Sequence, residues 1–348
     1  MNGSSFFESL ERRQLLSASA SLSSSGVEII KGSSAADQIA VAVSGSNITV
    51  MDGATLLGTE ATANVKSLQI KAGGGNDTIT IDSTLTIGGT IKDGNGDDVI
   101  TADGSGKFRV TVGRGNDTVS LGDGNNDVQA NGGNDVITVG NGRNNISGGY
   151  GDDQITVGTG NNSISAGDGN DSITAGTGNN SINLGDGDSS VTAGTGNNRI
   201  SLGDGDCTVS AGSGNNNIRI GDGNDQITVT TGNNNIQLGG GDSTVTSGAG
   251  NDTILSGGGA DNLTTGGNDI ILVDSTDTLA GTANDTVYTG SGGDTNITGV
   301  TSTNILTGNP PSTGHRGGGG CDGSGMGDGG GGGGFFGFGG GFFFGFRF

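Results

Sequence analysis

The chain has 348 residues with 78 glycines, two prolines and no tryptophan; only 29% is hydrophobic, and the formal net charge is −22. This composition excludes an ordinary globular enzyme, and it excludes a nucleic-acid partner because nothing would neutralise the phosphates. Low hydrophobicity with high charge suits either disorder or a regular repeat, and periodicity separates the two. So many carboxylates need counter-charge. Between 133 and 266 the bases are Arg143, Arg199 and Arg219, so cations must come from outside the chain.

Residues 1–26 read as a disordered leader. Its basic pair, Arg12-Arg13, precedes too short an apolar stretch for a secretory signal. Within it, "FESLERRQLLSAS" resembles the LEPR-XLL motif at the N-terminus of many large exported bacterial proteins, with Arg12 in place of the motif's proline. Over 27–72, apolar residues alternate in short runs, among them Ile39, Val41 and Val43, then Ile48 and Val50. These are expected to be short strands that cap the open edge of whatever follows. No run of eighteen apolar residues exists, so no transmembrane helix is expected.

From "GGGNDTITI" (73–81) a nine-residue beat begins, loose at first and then strict. Glycine recurs every nine residues from Gly133 to Gly259, and four residues after each stands Ile, Val or Leu. The position two beyond is mostly apolar as well, with a polar residue between. That is a strand with one buried face, followed by a tight glycine turn. A unit this short cannot bury its face alone, so two units form one coil of eighteen residues, and coils stack around a thin core. About seven coils between Gly133 and Gly259 make a rod on the order of 35 Å. The expected architecture is all-β: a parallel β-roll, or β-solenoid, over 73–266, with degenerate repeats and a C-terminal cap over 267–308. Residues 309–348 are a Gly/Phe-rich tail of low complexity, expected to be disordered.

The repeat resembles the RTX (haemolysin-type) nonapeptide, G-G-x-G-x-D-x-U-x, with the first glycine usually replaced by Ala, Val or Leu. The resemblance spans roughly 73–290. It implies a parallel β-roll that binds Ca2+ between successive loops through motif aspartates and loop carbonyls. Independently, calcium prefers six to eight oxygen ligands in flexible geometry, and glycine loops with a nearby Asp supply them.

Residues eighteen apart share an edge of the roll. One edge carries Asp135, Asp153, Asp171, Ser189, Cys207, Asp225, Ser243 and Asp261 at the motif position; Asp77, Asp98 and Asp117, in the looser units before the strict beat, are metal candidates as well. Where it lapses, acids precede it by one residue, as Asp188, Asp206 and Asp242. Others occupy the middle of the loop, as Asp168, Asp186, Asp204 and Asp222. The opposite edge carries Asn144, Asn162, Asn180, Asn198, Asn216 and Asn234, with Asp returning at Asp252. The expectation is one calcium edge and one asparagine edge, where stacked amides bond along the ladder. A solvated acidic face is the bland alternative for the carboxylates.

Other motifs carry less. "DGNGDD" (93–98) begins like an EF-hand loop, but its twelfth position is Gly104 rather than Glu. The single histidine, His315, lies in the tail, and Cys207 and Cys321 have neither metal nor redox spacing. No enzyme is expected. The predicted function is a secreted or cell-surface calcium-binding structural or adhesive module. Its expected partners are calcium ions and a cell surface, matrix polysaccharide or ice. Ice enters through the row Thr159, Thr177, Thr195, Ser213 and Thr231, each two residues before an Asn, which is similar to ladders on ice-binding β-solenoids.

Overall fold

In the computed structural model, the described residues are 18–274, 276–289, 296–301 and 304–307. They form two 16-stranded sheets whose strands alternate along the chain. The first strands are β1 (Ser19–Leu22), β2 (Val27–Lys31), β3 (Gln38–Ser44), β4 (Asn47–Asp52) and β5 (Thr55–Ala61). They are followed by β6 (Ser67–Lys71), β7 (Thr78–Ile81), β8 (Gly89–Lys92), β9 (Val99–Ala102) and β10 (Phe108–Thr111). From β6 onward, successive strands fall in opposite sheets, and each pairs in parallel with the strand one coil later. This is the parallel β-roll read from the repeat.

Each unit is a strand because its apolar residues alternate. Gln154–Val157 shows the pattern exposed, buried, exposed, buried. Ile155 stacks between Ile137 and Ile173 in one sheet. In the other, Ile164 lies between Ile146 and Ile182. All six are at most 2% exposed, and burying an aliphatic side chain of this size contributes about 1.5–3 kcal/mol. The turns depend on glycine. Gly160 has φ +141°, and a Cβ there would overlap the carbonyl of Gly142 in the preceding coil.

The N-terminal segments divide differently from expectation. Ser19–Leu22, expected within the leader, is a strand antiparallel to β2. β2 and β3 already stack in parallel on β6 and β7, so the roll begins before residue 73. The N-terminal ends of the sheets are instead formed by antiparallel strands: β1 beside β2, and β4 then β5 beside β3. At the other end, the parallel pairing continues through Ile305–Thr307. The LEPR-XLL-like motif falls almost wholly within residues 1–17, and the Gly/Phe-rich tail lies at 309–348; these segments are outside the described residues.

Candidate metal centre

Two columns of side chains run along the roll, one at each edge, each member two residues before a buried aliphatic. The first column is Asp37, Asp77, Asp98, Asp117, Asp135, Asp153, Asp171, Ser189, Cys207, Asp225, Ser243, Asp261 and Asp277. The second is Asn126, Asn144, Asn162, Asn180, Asn198, Asn216, Asn234, Asp252, Asp269 and Asp285. No member is more than 5% exposed.

Where the member carries a side-chain oxygen, that oxygen accepts the backbone N–H of the member one coil earlier. The Asp135 N–H donates to Asp153 Oδ1 at 2.9 Å, and the Asp153 N–H to Asp171 Oδ1 at 3.0 Å. On the opposite edge the Asn162 N–H donates to Asn180 Oδ1 at 3.2 Å. The step is 21 residues at Asp77–Asp98, 18 through the regular repeats, and 16 at Asp261–Asp277.

What the second atom of each side chain does separates the edges. Asn162 Nδ2 turns into its own loop and donates to the carbonyls of Gly158 (3.3 Å) and Gly160 (3.2 Å). Asn144, Asn180, Asn198 and Asn216 do the same. Ser189 and Ser243 donate their hydroxyls to Gly169 and Gly223 carbonyls at 3.2 and 3.3 Å, and the Cys207 thiol faces the Gly187 carbonyl at 3.5 Å. A carboxylate has no hydrogen to offer. Accordingly Oδ2 of Asp77, Asp98, Asp117, Asp135, Asp153, Asp171, Asp225, Asp252, Asp261 and Asp269 is buried with no hydrogen-bond partner.

At the ends of the columns the second oxygen is satisfied internally. Ser33 N–H donates to Asp37 Oδ2 at 2.6 Å, and Ser256 Oγ to Asp277 Oδ2 at 2.8 Å. Thr265 Oγ1 likewise donates to Asp285 Oδ2 at 2.8 Å. Between these ends, an ionised carboxylate without a partner carries a desolvation cost that only a cation or a proton removes. The one ion pair among the described residues, Arg109 with Asp127 at 2.8 Å, does not involve either column. Burial therefore pushes the Asp117, Asp153 and Asp261 carboxyls up to about 7, with neighbouring carboxylates adding to the effect. Asp171 and Asp269 rise to about 6 for the same first cause. Buried carboxylate oxygens beside glycine-loop carbonyls are a hard-oxygen donor set, which fits calcium.

The structure brings together Asp77, Asp98, Asp117, Asp135, Asp153, Asp171, Asp225 and Asp261 in one column and places Asp252 in the other. It does not bring the remaining predicted acids there. Asp168, Asp186, Asp204 and Asp222 form an exposed row in which each accepts the N–H of the following coil, as Asp204 N–H to Asp186 Oδ1 at 3.0 Å. Asp188 and Asp206 form a second exposed row, with Asp206 N–H donating to Asp188 Oδ1 at 2.8 Å. These rows run in the opposite sense to the buried column. They do not stand in for the missing carboxylates at Ser189 and Cys207, where the hydroxyl and thiol already meet the loop carbonyl.

Five column members do not appear in the sequence reading: Asp37, Asn126, Asp269, Asp277 and Asp285. The signal is Asp/Asn-x-aliphatic, as in Asp277-Thr278-Leu279, hidden toward the C-terminus by the shift of the repeat from 18 to 17 and 16 residues and at Asp37 by the 40-residue step to Asp77. The Thr-x-Asn rows are exposed as expected, and the outer asparagines also stack, Asn179 N–H donating to Asn161 Oδ1 at 2.9 Å.

A parallel β-roll with regular glycine loops and buried motif carboxylates defines a class of repeat proteins. Residues 109–277 match the family model of the RTX calcium-binding nonapeptide repeat, in eight stretches. Over this span the chain is an RTX repeat protein. No curated protein matches it.

Two outcomes follow from the columns. A carboxyl raised from its ordinary 3.8 to about 7 holds a proton in the fold that the unfolded chain has released. The metal-free roll is therefore most stable below about pH 4 and loses stability as pH rises toward 7. Thermal unfolding by circular dichroism in chelator should give a higher Tm at pH 5 than at pH 8; the reverse order would contradict the buried column. The second outcome concerns side-chain exchange. In chelator, Asp153→Asn should raise Tm, because the amide gains the inward donors that Asn162 has. Asn162→Asp should lower stability by about 1–3 kcal/mol, the usual cost of an unpaired buried polar group.

Proposed function

We propose that this chain is a calcium-dependent structural module whose roll is completed by Ca2+ held along the aspartate edge. The carrying observation is the run of buried Oδ2 atoms without partners, which from Asp117 to Asp269 lies in the stretch that matches a calcium-binding repeat. Asp77, Asp98, Asp117, Asp135, Asp153 and Asp171 are the main ligands, with Asp225 and Asp261 as further sites on that edge and Asp252 as one on the opposite edge. Bound calcium supplies the positive charge that the carboxylates and loop carbonyls lack. The chain's own residues do the rest: they set the loop register, exclude water from the column and keep like charges one coil apart. The exposed Asp168, Asp186, Asp188, Asp204, Asp206 and Asp222 deepen the negative potential that draws cations to this edge.

Millimolar calcium outside cells suits a site of this kind, and folding coupled to metal binding would keep the chain open until export. We therefore read it as a non-catalytic secreted or surface module, a spacer or adhesive element facing a cell surface or matrix polysaccharide. The test is to titrate chelated protein with calcium while following β-sheet circular dichroism and counting bound ions. Gain of parallel β signal with several ions per chain is expected. A chelated protein that gains no structure at millimolar calcium sinks the reading.

The asparagine edge favours a second reading. Thr159, Thr177, Thr195 and Thr231 stand exposed in register with Asn161, Asn179, Asn197 and Asn233, and such a row could order water on ice. Thermal hysteresis with faceted ice crystals is its expected outcome. Unaltered crystal growth at high protein concentration removes it.

A further inference from the structure

We propose a separate cation site before the matched repeats, in which Asp77, Asp93 and Asp98 bind one calcium ion through three carboxylates. It rests on the calcium reading above, but it uses a residue that the repeat motif does not supply. One carboxylate oxygen from each of the three lies within 4.8 Å of the others. Two oxygens bound to one calcium at 2.3–2.6 Å can be at most about 5 Å apart, so the trio fits a single ion. Among the described residues no other trio of acidic, His or Cys side chains meets so closely.

Two further observations point inward. Asp77 and Asp98 are 1% exposed. Their Oδ1 atoms are used, accepting the N–H groups of Asp37 at 2.7 Å and Asp77 at 2.8 Å, while each Oδ2 is buried without a partner. Asp93 is the anomaly. Its Oδ1 accepts the neighbouring Gly94 N–H at 2.9 Å, and its Oδ2 is also buried and unpartnered.

The register explains why that is costly. One residue beyond the paired strands β6, β8 and β10, Asp93 is stacked between Ala72 and Val112, and Ala130 follows in the next coil. Those three neighbours are at most 1% exposed. An acid has therefore replaced a small apolar residue in a core-facing column; Asp93 is half-buried there, beside the buried carboxylates of Asp77 and Asp98. Without a cation, three like charges within a few ångströms in a desolvated site repel strongly. With one, the third carboxylate makes this the most negatively charged ligand set on the edge, and affinity for calcium rises with ligand charge. The stretch "DGNGDD" thus contributes its first and last residues to a site of a different kind from an EF-hand.

The experiment counts calcium on the full chain by equilibrium dialysis and follows Tb3+ luminescence, with Asp93→Ala, Asp93→Asn and the exposed control Asp97→Asn. Circular dichroism in excess calcium checks that each variant folds; Asp93→Ala restores the small apolar rhythm of the column. The expected result is one fewer ion and loss of the tightest class in both Asp93 variants, with Asp97→Asn unchanged. Asp93 variants that match wild type in count and in tightest affinity overturn this site alone. A wild-type chain that takes up no ion overturns the calcium reading and this site together.

Discussion

The roll depends on one hydrogen bond repeated along its length: a buried side-chain oxygen accepting the backbone N–H of the equivalent residue one coil earlier. This bond, between 2.7 and 3.2 Å wherever the acceptor is Asp or Asn, is independent of the sheet ladders. It ties the loops together where no strand pairing exists, and it calls for a short side chain with an acceptor oxygen at one position per unit. Asp and Asn meet that demand, and a serine hydroxyl meets it within the same range, with 3.1 Å bonds to Ser189 and Ser243. The stack is therefore indifferent to charge at this position as far as its register is concerned.

The second atom of the side chain is where the edges part. An asparagine amide directs Nδ2 hydrogens at its own loop carbonyls, so the protein carries its positive partner within the side chain. A serine hydroxyl or cysteine thiol instead meets one glycine carbonyl of the preceding coil. An aspartate presents another negative oxygen to the same place, and the resulting deficit must be met by a proton or a metal ion. Metal demand is thus local. It is set residue by residue along the column, lapsing at Ser189, Cys207 and Ser243, and ending at Asp37, Asp277 and Asp285, where Ser33, Ser256 and Thr265 close the carboxylates with neutral donors.

Much of this was legible before any coordinates. Gly133 to Gly259 fixed the beat, and residues such as Ile137 and Ile155 fixed the inward face, because tight turns and buried strands each require a narrow residue class. The split between Asp153 and Asn162 also stood in the sequence. What did not stand there was direction. Asp188 and Asp206 look like substitutes for a missing ligand, since a one-residue offset is small in a loop. In a pleated, tightly turned loop that offset sends the side chain to solvent. Asp93 was obscured for the converse reason: it belongs to an acid-rich hexapeptide, and only the register with Ala72 and Val112 shows that it faces the core.

An edge that carries its own donors and an edge that must recruit cations divide the work of assembly. The asparagine column from Asn126 to Asn234 satisfies its amides on its own loop carbonyls, so completing that edge takes no ion. A cation at the aspartate edge would then have one edge to order rather than two, and less ordering entropy would be lost at each site than in a chain whose edges both need an ion. On that basis the neutral edge is the template and the aspartate edge the lock. A roll with aspartate in both columns would have more sites, but each first ion would have to organise its coil alone.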